Sequence, residues 1–148
     1  MAMRDTTNVG FEVVDLVPFV SASLPLPTDP VLQFATKEIS PVSISRVSDN
    51  VFLVCYDEFG FYIDRSGAMT RHELVTRWTL PACGFALHLP YILVFCGIHV
   101  EVWDIEPGKL VQKIQSRYRL LNRPNAGDEI LSESSGRIMK MVFNRRLV

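Results

Sequence analysis

Three cysteines, three histidines and the tetrapeptide DEFG hold the residue types in this chain that could do chemistry. Cys96 and His99 stand closest together, in FCGIHV. A thiol beside an imidazole can serve as two ligands to a soft divalent metal, or as a nucleophile with its base. Either use needs a further ligand or an orienting group, and the spacing supplies none. His88 lies eleven residues before His99, outside any zinc-ligand spacing. His88 and His99 alternate with apolar residues, so each is expected to face solvent or satisfy a backbone partner. His72, in Arg71-His72-Glu73, reads as exposed. Cys55, Cys83 and Cys96 are odd in number, show no C-x-x-C spacing and sit in or beside apolar runs, which reads as buried free thiols. DEFG at 57–60 contains the letters of a kinase metal-binding loop, but a kinase also needs a glycine-rich loop, a strand lysine and an H-R-D loop, and the chain has none. Asp57 and Glu58 therefore read as carboxylates at a corner between strands, with Asp57 accepting from backbone amides and Gly60 relieving crowding. No phosphate-cradling glycine motif occurs. The expectation is no catalytic, cofactor-binding or metal residue, no cofactor and no enzyme.

The elements that carry these residues belong to a globular chain. At 148 residues, 48% hydrophobic and 21% charged, it suits one domain and lies far from the disordered class. Its net charge of −1 removes the electrostatic case for nucleic acid. Arg117 with Arg119, and Arg145 with Arg146, read as solvated faces. The N-terminal MAMRDTTNVG has no apolar core of a secretory signal, so the cytosol is the expected compartment. The stretch 79–100, TLPACGFALHLPYILVFCGIHV, carries no Asp, Glu, Lys or Arg. Pro81, Pro90, Gly84, Gly97 and two histidines interrupt it, so two buried strands and their turn explain it better than a membrane span. Trp78 and Trp103 read as packing within strands.

A repeat organises the chain. VFLVCYDEFGFYID (51–64) lies over YILVFCGIHVEVWD (91–104) without a gap, at an offset of 40 residues, and Gly67 and Gly108 close the following turns. VSISRV (42–47) precedes the first copy and GFALHL (84–89) the second, while HELVTRWT (72–79) and LVQKI (110–114) follow. Four short strands per unit at a period near 40 predict an all-β, partial β-propeller. The expected division of a single domain, 1–148, is a blade remnant at 10–35, blades at 42–80 and 84–115, and a partial blade at 118–148. In the remnant, GFEVVDL (10–16) is a strand, FVSASLPLPTDP a proline-marked loop and Val31 to Ala35 another strand. Near the end, NRPNAGDEILSESSG reads as a polar, mobile excursion and RIMKMVF (137–143) as a strand. Three to four blades fall short of a closed circle, which suggests an incomplete arc that self-associates or pairs with missing blades.

PVSISRVSDNVFLVCYDEFGFYIDRSG, followed by FALHLPYILVFCGIHVEVWDIEPGKLVQKI, resembles the citron homology (CNH) domain, most closely the version at the C-terminal end of fungal Rho-type guanine-nucleotide exchange factors. The resemblance runs from about Gly10 to about Asn122, roughly the second half of such a domain. It implies a seven-bladed, propeller-like, non-catalytic module that binds protein partners, possible components of a Rho-type GTPase pathway, in the cytoplasm and peripherally at membranes through those partners. A vacuolar or endosomal tethering adaptor of the CNH type, and a non-functional fragment of a longer protein, are the alternatives.

Overall fold

The computed structural model describes residues 39–71, 76–124 and 127–144, and the strands alone at 11–14 and 21–24. His72 and the strand expected at Val31 to Ala35 lie outside the described residues. No helix occurs among those described, and the chain divides into two compact units, 1–77 and 78–148.

In the first unit, β1 (Phe11–Val14) pairs antiparallel with β2 (Ser21–Leu24), Phe11 opposite Leu24. The sequence reading placed a proline-marked loop over β2. The correction has a simple reason: Pro25, Pro27 and Pro30 all follow the strand, and every residue from Ser21 to Leu24 keeps its backbone N–H for the ladder. The main sheet of this unit runs β3 (Pro41–Ser48), β4 (Val51–Tyr56), β5 (Phe59–Ile63), β6 (Met69–Thr70). β7 (Thr76–Arg77) also pairs with β5. Of the fourth strand expected at 72–79, the described residues show β7, and β6 pairs with β5 just ahead of it. Arg71, directly after β6, has a left-handed φ of 50° that does not continue a ladder, and 72–75 lie outside the described residues. Every residue of β5, FGFYI, is buried, as its unbroken apolar run requires. Its core holds Ile39, Val54, Tyr56, Phe59, Phe61 and Ile63.

In the second unit, β8 (Gly84–His88), β9 (Tyr91–Phe95), β10 (Val100–Asp104) and β11 (Lys109–Ile114) form an antiparallel sheet in the order β11-β10-β9-β8. The uncharged stretch 79–100 is β8, β9 and their connections. No helix among the described residues is long and apolar enough to cross a membrane. β12 (Arg119–Leu120), β13 (Ile130–Ser134) and β14 (Arg137–Met141) form a three-stranded sheet. Ile130, Leu120, Met141 and Phe143 pack from it into a core with Ala86, Leu93, Phe95, Val100 and Val102. Much of the expected mobile excursion is therefore a strand: Ile130 and Ser132 are buried in β13, and Asn122 clamps it by accepting from Leu131 N and donating to Glu129 O.

The two long hairpins share one register. Phe52 faces Ile63, Leu53 Tyr62, Val54 Phe61 and Cys55 Gly60. Forty residues on, Ile92 faces Trp103, Leu93 Val102, Val94 Glu101 and Phe95 Val100. The turns that follow repeat as well. Asp64 accepts from Ser66 N at 2.8 Å and Asp104 from Glu106 N at 3.1 Å, with Gly67 at φ 85° and Gly108 at φ 64°. Only residues without a Cβ take such angles freely.

Candidate functional site

The shared register shows what is particular to the second hairpin. In the first, Tyr56, Phe59 and Phe61 project from one face and stack, with ring centroids 5.2 Å apart for Tyr56–Phe59 and 6.1 Å for the other two pairs. The same three positions in the second hairpin carry Cys96, His99 and Glu101. Cross-strand partners share a face, as do residues two apart in a strand. Cys96 N–H donates to His99 O at 3.0 Å, which sets these two opposite each other, and Glu101 follows on the same face. Gly97, at φ 79°, takes the first corner of the two-residue turn between them, the chemistry such a tight hairpin needs.

Glu101 is fully buried, and His99 is 4% exposed. An ionised carboxylate only accepts, so the tautomer is assigned: His99 Nε2–H donates to Glu101 Oε1 at 2.8 Å. Trp103 Nε1 donates to Oε2 at 2.8 Å, Thr79 N to the same oxygen at 3.3 Å, and the Thr79 hydroxyl to Oε1. Lys113 Nζ donates to Thr79 Oγ1 at 3.0 Å and lies 3.6 Å from Glu101 Oε1. Burial pushes the Glu101 carboxyl up, but the bonds from Thr79, His99 and Trp103 together outweigh it and hold the group below its ordinary value. Trp78 meets Trp103 edge-on at 5.8 Å and Phe85 at 5.3 Å, walling the network with rings.

Donor atoms of Cys96, His99 and Glu101 all lie within 4.8 Å of one another. The further group that the sequence did not supply is Glu101. Alternation in HVEVWD carries the signal, since it places His99, Glu101 and Trp103 on one face. As a nucleophile the thiol is poorly placed: burial, then the charge of Glu101, pushes Cys96 up to about 11, so it stays protonated at neutral pH. Its sulfur has only long contacts to backbone oxygens, 3.6 Å to Leu80 and 3.9 Å to Val94.

The remaining sequence candidates separate from this cluster. Cys55 is buried, Cys96 half-buried and Cys83 exposed, so the reading of buried thiols is corrected at Cys83, whose place before β8 leaves it at the rim. His88 stacks on Phe143 at 4.0 Å. Asp57 stands at the β4–β5 corner and is bound to Ser40: Ser40 N donates to its Oδ1 at 3.1 Å, and its own N–H donates to Ser40 O at 3.0 Å. Its partner is seventeen residues away, so the carboxylate ties a corner to a strand entrance.

The family model of the CNH domain matches residues 6–123. Rho1 guanine nucleotide exchange factor 1 of Schizosaccharomyces pombe is 37% identical over 124 residues, 80% of this chain and 9% of that protein. RHO1 GDP-GTP exchange protein 2 of Saccharomyces cerevisiae is 34% identical over 114 residues, 76% of this chain and 8% of that protein. A GTPase-activating protein of Dictyostelium discoideum is 30% identical over 74 residues, 50% of this chain and 7% of that protein. Among solved structures, the AfRom2 CNH domain aligns with a TM-score of 0.75 at 30% identity, over 92% of this chain and 46% of that one. The chain thus spans under a tenth of these curated relatives and just under half of the solved domain.

Proposed function

The chain belongs to the CNH domain family, and from that premise we propose that it is a non-catalytic interaction module of Rho-type GTPase signalling. The observation that carries this reading is the company the sequence keeps. Related stretches occur in proteins named for GDP–GTP exchange and in one named for GTPase activation, which are opposite reactions. A segment common to both is best understood as the part that finds partners, with the chemistry held elsewhere in each relative. As the repeat leads us to expect, a blade remnant at 10–35, blades at 42–80 and 84–115 and a partial blade at 118–148 present the faces and rims that bind protein. Its place is the cytoplasm, and membranes are reached through partners.

Two measurements on the purified chain test the proposal. Release of a fluorescent GDP analogue from a Rho1-type GTPase is expected to keep its intrinsic rate when the chain is added; acceleration would overturn the non-catalytic reading. In biolayer interferometry the immobilised chain is expected to bind either that GTPase or a Rho1 exchange protein. Binding to neither would overturn the interaction reading.

A further inference from the structure

We propose that Cys96 Sγ, His99 Nε2 and Glu101 Oε1 form a binding site for a thiophilic divalent cation of the zinc class. The donors are a thiol, an imidazole and a carboxylate, the three ligand types that zinc takes from proteins. They project from one face of one hairpin, so their backbone frame is set before any ion arrives. A tetrahedral centre with bonds of roughly 2.0–2.3 Å holds its ligand atoms roughly 3.3–3.7 Å apart. The observed separations, 2.8 Å for His99 to Glu101 and no more than 4.8 Å within the set, bracket that range. Small side-chain rotations close the difference.

A packing role alone does not require these residues. The first hairpin fills the same three positions, in the same register, with Tyr56, Phe59 and Phe61. Burying a carboxylate and an imidazole there costs desolvation that the rings avoid. The ion enters beside the exposed turn at Gly97 and Ile98, the latter 54% exposed. On binding, the Cys96 S–H bond breaks, its proton leaves to solvent and the sulfur–metal bond forms. The His99 proton moves from Nε2 to Nδ1 by exchange with water, so one proton is released per ion. Thr79 Oγ1, 3.4 Å from His99 Nε2, or a water completes the set. Lys113, whose side chain is 32% exposed, withdraws from Glu101 into water.

The test uses the full 148-residue chain, reduced and freed of metal by a chelator. Titration with Co²⁺ is expected to give one equivalent of thiolate-to-metal charge-transfer absorption, which Zn²⁺ abolishes by displacement. Cys83→Ser is expected to keep the signal, while Cys96→Ser loses the charge-transfer band and His99→Ala weakens Zn²⁺ binding at least about 100-fold in calorimetry. If His99→Ala fails to fold, Cys96→Tyr/His99→Phe/Glu101→Phe, which carries the side chains of the first hairpin, takes its place and is expected to bind no metal while keeping its β-type circular dichroism. No charge-transfer band in the wild-type chain, or a band that survives Cys96→Ser and disappears with Cys83→Ser, would overturn the site.

Discussion

Glu101 gathers Thr79, His99 and Trp103 around one buried carboxylate, so removing it strands four donor groups from three residues at once. Glu101→Leu is expected to lower unfolding stability by about 3–5 kcal/mol, the scale for breaking a buried charged network from one side. Urea denaturation checks it through a lower midpoint at unchanged slope. Trp103→Ala deletes one donor and the edge-on ring against Trp78, and is expected to cost about 2–4 kcal/mol in the same measurement. Asp64 supplies a pH dependence. The Ser66 hydroxyl, helped by the backbone amides of Ser66, Ala68 and Gly67 against slight desolvation, holds its carboxyl below the ordinary 3.8. A depressed carboxyl stabilises the fold above its unfolded pKa and loses that contribution as pH falls through the lower folded value. Asp64→Asn is therefore expected to flatten the stability profile below pH 3.8, read from thermal melts across acid pH. At this scale the sequence shows the Cys96–His99 pair but not its partner. Glu101 looks like a solvated carboxylate in an alternating strand, and one of the donors that satisfies it is Thr79, twenty-two residues upstream.

Hairpins with the same register and different side chains make a natural exchange experiment. Thr79 stands forty residues after Ile39, which packs with Tyr56, Phe59 and Phe61. Thr79→Ile/Cys96→Tyr/His99→Phe/Glu101→Phe therefore moves the whole apolar plug into the second hairpin. Replacing a complete buried ionic group by well-packed apolar residues is often neutral or stabilising by about 1–4 kcal/mol. The fourfold variant is expected to melt at or above the wild-type temperature, although Glu101→Leu alone melts well below it. A large loss in the fourfold variant would mean that the aromatic packing depends on neighbours peculiar to the first sheet. Elements were legible where the apolar pattern repeats: β4, β5, β9 and β10 follow from the gapless overlay, and β14 from the alternation in RIMKM. β2 and β13 were not. SASL alternates over only four residues and runs straight into a proline-rich stretch, and ILSES sits in a polar neighbourhood where only Ile130 and the tertiary burial of Ser132 mark the inner face. The short edge strand β6 beside β5 was equally hidden, because it stops at one left-handed residue, Arg71, that no sequence pattern announces.

Across the whole molecule, the period near 40 pointed to the fold class from sequence, because the β4–β5 and β9–β10 hairpins share one register and the same turn chemistry. The number of blades needed to close a circle is a property of the family domain, of which this chain spans under half. β14 and the residues just beyond it carry exposed apolar side chains. Ile138 is 73% exposed and Val142 77% exposed, on the face turned away from Met139 and Met141. Exposed β-branched residues along a strand are a template for association. Light scattering behind size exclusion is expected to show concentration-dependent self-association of the wild-type chain, and Ile138→Lys/Val142→Lys is expected to shift it to monomer. Unchanged mass in the double variant would place the contact elsewhere.

The edge-on pair of Trp78 and Trp103 also makes the chain its own optical probe. These are its only two indoles, and both belong to the second unit, whereas Tyr56 and Tyr62 belong to the first. Indole emission therefore watches one unit alone, and the close ring pair should couple excitons, giving a split band in circular dichroism that ends when either ring departs. A melt followed at that band and one followed at the peptide band separate only if the two units come apart at different temperatures.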